Sequence, residues 1–112
     1  MKIEQLATMT TDTSDGTVIA RVSGELDSSN AKHFGDTIIA AGSDALACVV
    51  DLTLVTYLDS SALTMLHRLA QQSAALHLVM PPGSRAARLV EIGGLDTVLR
   101  THPTVGDALA GL

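Results

Sequence analysis

At 112 residues the chain has the size of one domain, and a formal net charge of −5 at pH 7 excludes the basic footprint that nucleic-acid phosphates require. With one Phe, one Tyr and no Trp among 46% hydrophobic residues, the core must be aliphatic, and base stacking on aromatic rings is nearly unavailable. The single cysteine, Cys48, excludes an internal disulfide and reads as a small core residue within the apolar run Ala45 to Val50.

That run is the longest of its kind and far too short to cross a bilayer, and Met1-Lys2-Ile3-Glu4-Gln5 has no apolar signal core. A cytoplasmic protein without membrane insertion is expected. No repeat, linker or low-complexity tract interrupts residues 1–112, which read as a single domain.

In chain order, Leu6 to Thr11 and Thr17 to Val22 read as two strands joined at Asp15-Gly16, a dipeptide suited to a tight hairpin. Ser28, Ser29 and Asn30 are candidate N-caps for a helix carrying Ala31, Phe34, Ile38 and Ala41 and ending near Gly42. Leu46 to Leu52, with Val49 and Val50 at its centre, is branched and short enough to be a parallel strand buried on both faces. Ser60 to about Ala75 contains no Gly or Pro and repeats Ala62, Leu66, Leu69 and Ser73 on one helical face, widened by Leu63 and Ala70.

Leu76 to Met80 reads as a further strand, stopped by Pro81-Pro82-Gly83. Ser84 caps a helix through Leu89, Val90 and Ile92, which Gly93-Gly94 terminates. A last strand is expected over Val98 to Thr101. Thr104 then caps a closing helix with Val105, Ala108, Leu109 and Leu112 at helical spacing. Strands alternating with helices after an opening hairpin imply an α/β fold: a mixed sheet of four to five strands packed with about four helices. In such sheets, sites lie beyond the carboxyl ends of the strands.

Two segments occupy that position, Gly24-Glu25-Leu26-Asp27 and Thr56-Tyr57-Leu58-Asp59-Ser60-Ser61-Ala62. With Val22-Ser23 before the first, Val49-Val50-Asp51-Leu52 before the second, and the Ser84 to Leu95 helix ending Glu91-Ile92-Gly93-Gly94-Leu95, the whole chain resembles the STAS domain family. The likeness is to its anti-sigma factor antagonists, the anti-anti-sigma factors of SpoIIAA and RsbV type.

The resemblance implies a protein that is not an enzyme and needs no cofactor. It implies binding, when unphosphorylated, to an anti-sigma factor that is itself a serine kinase of histidine-kinase-like ATPase fold. Phosphorylation at the matching serine, Ser61, would release it, a PP2C-type phosphatase would reset the cycle, and sigma-factor-dependent transcription would respond. The implied kinase-facing surface comprises Glu25, Asp27, Asp59, Ser60, Ser61 and Ala62, the last standing where the family usually has Gly. A methyl group there is expected to narrow the space near Ser61.

Elementary chemistry makes the assignment intelligible. A serine at a helix start after a buried strand presents its hydroxyl from a rigid frame, and the helix N-terminus tolerates added negative charge. A phosphate there, of about −1.5 to −2 charges, is expected near Asp59 and Asp27, with no Lys or Arg in either segment to neutralise it. The same serines also fit plain N-caps, Glu25 and Asp27 also fit solvated helix-start carboxylates, and Tyr57 and Leu58 fit either a partner surface or packing.

A nucleophilic role for Ser61 would need an adjacent base and an oxyanion hole. His67 lies about 600° of helical rotation away at 100° per residue. His33, His77 and His102 are scattered without metal-ligand spacing and read as surface or partly buried residues, with no metal site. The remaining rivals are a STAS regulatory subunit of a transporter or stress-sensing complex, or a nucleotide-binding STAS module. For the latter, Pro82-Gly83-Ser84-Arg85 with Arg88 could receive an anion at a helix N-terminus, although a capped helix with surface arginines is the preferred reading of that segment.

Overall fold

The computed structural model describes residues 7–72, 75–97 and 99–112. The expectations placed on Leu6, Ser73 and Val98 lie outside the described residues. In chain order the elements are β1 (Ala7–Ser14), β2 (Thr17–Leu26), α1 (Ala31–Ala41), β3 (Ala47–Leu58), α2 (Ser60–Gln72), β4 (Leu76–Val79), α3 (Arg85–Ile92), a 3₁₀ turn (Leu95–Thr97), β5 (Arg100–His102) and α4 (Val105–Ala110). The strands form one sheet in the order β1-β2-β3-β4-β5. β1 is antiparallel to β2 and every other neighbouring pair is parallel, so the sheet is mixed as expected.

The hairpin follows from its two turn residues. Ser14 pairs with Thr17, leaving Asp15 and Gly16 as a two-residue loop with φ of 50° and 79°. Positive φ at both positions matches the right-handed twist of the flanking strands, and Asp-Gly is among the few dipeptides that adopt it readily.

Alternation along the strands divides the core between the two faces of the sheet. Ala20, Val22, Cys48, Val50, Leu52, Leu76 and Leu78 face Ala31 and Ile38 of α1, Ala62, Met65, Leu66 and Leu69 of α2, and Ala86 and Val90 of α3. On the opposite face Ile19, Val49 and Val79 meet Ala108 and the half-buried Val105 of α4. Three helices therefore cover one face and one short helix the other. Cys48 is 3% exposed, and burial pushes its thiol up to about 11, so it serves as a core residue rather than a reactive thiol.

β2 and β3 run further than the sequence pattern indicates. Both continue through the segments expected to be loops, up to Leu26 and Leu58, with shifts of register between Arg21 and Ser23 and between Gly24 and Glu25. At the first shift β3 carries an extra residue, and Thr53 donates its amide to Asp51 Oδ1 at 2.9 Å. Gly24 takes φ of 96° beside the second shift, a conformation that favours glycine. These bulges break the alternation by which the strand ends would otherwise have been read.

His77 and His102 are not scattered. The parallel register sets Val79 opposite His102 and His77 opposite Arg100, and His77 Nδ1 lies 2.9 Å from His102 Nε2. His77 is 1% exposed, and burial, then the nearby His102 and Arg100, hold its pKa below the ordinary 6.5. A base whose pKa is lowered by folding binds its proton first in the unfolded chain, so its contribution to stability is complete above the unfolded value and declines as pH falls below it. The thermal midpoint should be flat down to about pH 6.5 and fall below it. Substitution His77→Leu should flatten that fall, and an unchanged slope in the variant would assign the acid sensitivity to other groups.

Candidate functional site

The parallel register of β2 and β3 brings the two segments together. Glu25 pairs with Tyr57 and Leu26 with Leu58, so Asp27 and Asp59 leave adjacent strand ends, roughly one strand spacing of 4.8 Å apart along the backbone. Leu26 and Leu58 are both buried and anchor the two exits, which settles Leu58 as a core residue, whereas Tyr57 is exposed.

After Leu58 the chain turns directly into α2, and Asp59 caps it. Its Oδ1 accepts the amide of Ser61 at 2.8 Å and approaches that of Ala62 at 3.4 Å, while its carbonyl accepts the amides of Ala62 and Leu63. The capping role considered for Ser60 or Ser61 thus belongs to Asp59. Both serines fall in the first turn: Ser60 is exposed and Ser61 half-buried. Among the described residues no hydrogen bond engages the Ser61 hydroxyl, which is left available.

Ala62 is wholly buried in the core, in phase with Leu66 and Leu69. Its methyl group therefore fills space beneath the helix. The helical phase thus turns the Ala62 side chain into the core, while Ser60 at the same helix start is exposed.

The other exit is held by its own side chains. Asp27 accepts the amide and the hydroxyl of Ser29, and these bonds keep its carboxyl below the usual carboxylate range. Asn30 occupies the N-cap position of α1 without a side-chain cap bond. Its amide side chain instead turns back, accepting from Asp27 N at 3.0 Å and donating to the Glu25 carbonyl at 2.9 Å. The Asp27 carbonyl takes the Ala31 amide at 2.9 Å. Glu25 itself is exposed.

Between α1 and α2 runs a groove of about 320 Å³ lined by Ser28, Ala31, Lys32, Ser61, Thr64, Met65 and Arg68. The helices approach closely because α1 carries Gly35 at the crossing, where a Cβ would stand 2.8 Å from Met65 Cγ and overlap the Arg68 guanidinium. Lys32 and Arg68 both pair with Asp36, at 3.1 and 2.9 Å, and Arg68 also donates to the Lys32 carbonyl. The two segments supply no cation of their own, but packing of the helices brings two into the groove that Ser61 lines. Ser61, Met65 and Arg68 share one stripe at helical spacing and could have been read from the sequence. The placement of Lys32 opposite them could not.

Glu25, Asp27, Asp59, Ser60 and Ser61 thus gather at one end of the sheet. Ser84 lies at the start of α3, where its hydroxyl accepts the Ala87 amide at 3.1 Å, while the Arg85 guanidinium stands 5.9 Å from the Tyr57 ring centroid. That segment is a capped helix with surface arginines.

A family model described as the STAS domain matches residues 8–108. The chain belongs to the STAS domain family. Among solved structures, it is similar to an anti-sigma factor antagonist from Mycobacterium paratuberculosis, with 28% identity and a TM-score of 0.86 over 94% of this chain and 92% of that one. It shares its fold with SpoIIAA in its unphosphorylated form, at 15% identity and a TM-score of 0.69 over 93% of this chain and 96% of that one. The phosphorylated form of SpoIIAA, from Bacillus, matches with 17% identity and a TM-score of 0.67 over 92% and 97% of the two chains. A search of curated proteins finds no match. Among the described residues, no group of three or more His, Cys, Asp or Glu side chains is placed to hold a metal, and no helix is long and apolar enough to cross a membrane.

Proposed function

We propose that this STAS domain is an anti-sigma factor antagonist that binds an anti-sigma serine kinase in its unphosphorylated state and is released by phosphorylation at Ser61. The observation that carries the reading is the position of Ser61. Ser61 is half-buried, with its hydroxyl unengaged among the described residues, and is set on the first turn of a helix anchored by Asp59 and by the strand beneath. A kinase acting on such a residue meets a backbone already ordered, so binding spends little on ordering a loop. Similarity to the mycobacterial antagonist across 94% of this chain supports the class of partner.

In this reading Glu25, Asp27, Asp59 and Ser60 surround the target and contribute polar recognition, the kinase has the histidine-kinase-like ATPase fold, and a PP2C-type phosphatase restores the free hydroxyl. The output is sigma-factor-dependent transcription. The direct test is peptide mass spectrometry after incubation with ATP and each kinase-like anti-sigma factor of the source organism. A single phosphate on Ser61, absent from Ser60, is the expected result. Tight binding of a kinase without modification would make the domain an unswitched antagonist, and no binding by any of them would overturn the proposal.

A further inference from the structure

At the opposite pole of the sheet, where the parallel strands begin, lies a larger groove of about 660 Å³. That volume falls within the range of small-molecule sites. The groove crosses the sheet beneath the end of α4, from Asp15 in the β1–β2 turn to Arg100 at the start of β5. Three strand spacings separate β2 from β5, a span of roughly 15 Å. Between the charged ends Ile19, Ala47 and Ala75 supply apolar lining beside Thr17 and His77.

Two observations set it apart from an ordinary surface furrow. First, Leu46, Leu109 and Leu112, which border it, are 77%, 40% and 54% exposed, an apolar concentration that a monomer gains nothing by leaving in water. Second, His77 lines the same groove while 99% buried, and its Nε2 is a buried polar atom without a hydrogen-bond partner among the described residues. Its other nitrogen is engaged by His102. A buried polar atom left without a partner is costly, and a group retained at that cost calls for an explanation.

The register supplies the companion group. Arg100 pairs with His77 across β4 and β5, which places both side chains on the α4 face of the sheet, and Arg100 makes no ion pair among the described residues. We infer that this groove is a binding site for a medium-chain aliphatic carboxylate, its carboxylate held by Arg100 and the Nε2–H of His77 and its chain lying against Leu46, Leu109 and Leu112. His102 would donate from its Nε2 to His77 Nδ1 and so hold the tautomer in which His77 Nε2 carries the proton. An extended chain directed away from Arg100 matches the length of the groove. Asp15 sits at the far end, where it repels a carboxylate bound in the reverse orientation. Because Nε2 is covered, the ligand reaches it only as the side chains around it shift.

The site lies at the other end of the sheet from Ser61 and does not depend on the antagonist reading. Calorimetric titration of the whole chain with octanoate, decanoate and dodecanoate, each below its micellar concentration, tests it, with decanol as the neutral counterpart. Saturable one-to-one binding is expected for at least one acid, accompanied by shifts of the His77 and His102 imidazole resonances. Arg100→Ala should weaken the acid by about tenfold or more, the size of a charge-assisted hydrogen bond, and leave decanol unchanged. Leu46→Ala and Leu112→Ala alter exposed positions, so they should fold normally by circular dichroism and weaken acid and alcohol alike. Absence of saturable binding by all three acids would overturn the site. Equal affinity for decanol and decanoate, or acid binding insensitive to Arg100→Ala, would overturn the assignment of a carboxylate ligand.

Discussion

Ser61→Asp and the Ser61 phosphoprotein should each bind the partner kinase at least a hundredfold more weakly than the unmodified chain, with Ser61→Ala retaining full affinity. A phosphate brings about −1.5 to −2 charges to a helix start already flanked by Asp59 and, across the strand exit, Asp27. An interface closed over a neutral hydroxyl must then desolvate that charge or hold it against like charges, at several kcal/mol. Titration of the partner against the three proteins measures the effect directly. If Ser61→Asp bound as tightly as Ser61→Ala, charge at this position would not be the release signal.

The fold should survive the same changes. Ser61 lies in the first turn of α2, where added negative charge is favourable by about 0.3–1 kcal/mol. Lys32 and Arg68, held by Asp36 in the unmodified chain, line the same groove and offer the phosphate a partial counter-charge. Thermal midpoints of Ser61→Asp and Ser61→Ala should therefore stay within a few degrees of the parent, about 1 kcal/mol or less. On the proposed reading, this separation of affinity from stability is what a switch reused over many cycles needs.

Much of this arrangement is legible in the sequence because periodicity and local chemistry agree there. Ala62, Leu66 and Leu69 repeat at the spacing that buries one stripe of α2, and Val49 and Val50 sit in a strand covered on both faces. Other parts were hidden because they depend on contacts between distant residues. Asn30 fits a cap by type, but it turns back to Asp27 and Glu25 because the β2 exit passes beside it. The second half of β3 reads as a loop because bulges break its alternation and leave Leu54 and Tyr57 exposed. Lys32 joins Ser61 only through the crossing at Gly35, and His77 meets His102 only through a parallel register set by the chain between them.

Leu66→Ala should be the most damaging of the conservative substitutions considered, lowering stability by about 3–5 kcal/mol. Leu66 is fully buried and sits in the core cluster with Leu26, Leu58 and Leu78, so its removal leaves a cavity between α2 and the sheet. A domain of this size has a total stability on the order of 5–15 kcal/mol. The loss is thus a large fraction of the whole, and a fall of roughly 10–20 °C in thermal midpoint should be read by calorimetry or circular dichroism. Ile92→Ala and Leu54→Ala supply the contrast: these side chains are 78% and 68% exposed and should cost no more than about 0.5 kcal/mol. Kinase affinity per folded molecule should be retained in Leu66→Ala at low temperature, because Asp59 and Leu58 still fix the first turn of α2. If Leu66→Ala cost as little as Ile92→Ala, the buried stripe would not be what anchors α2 to the sheet.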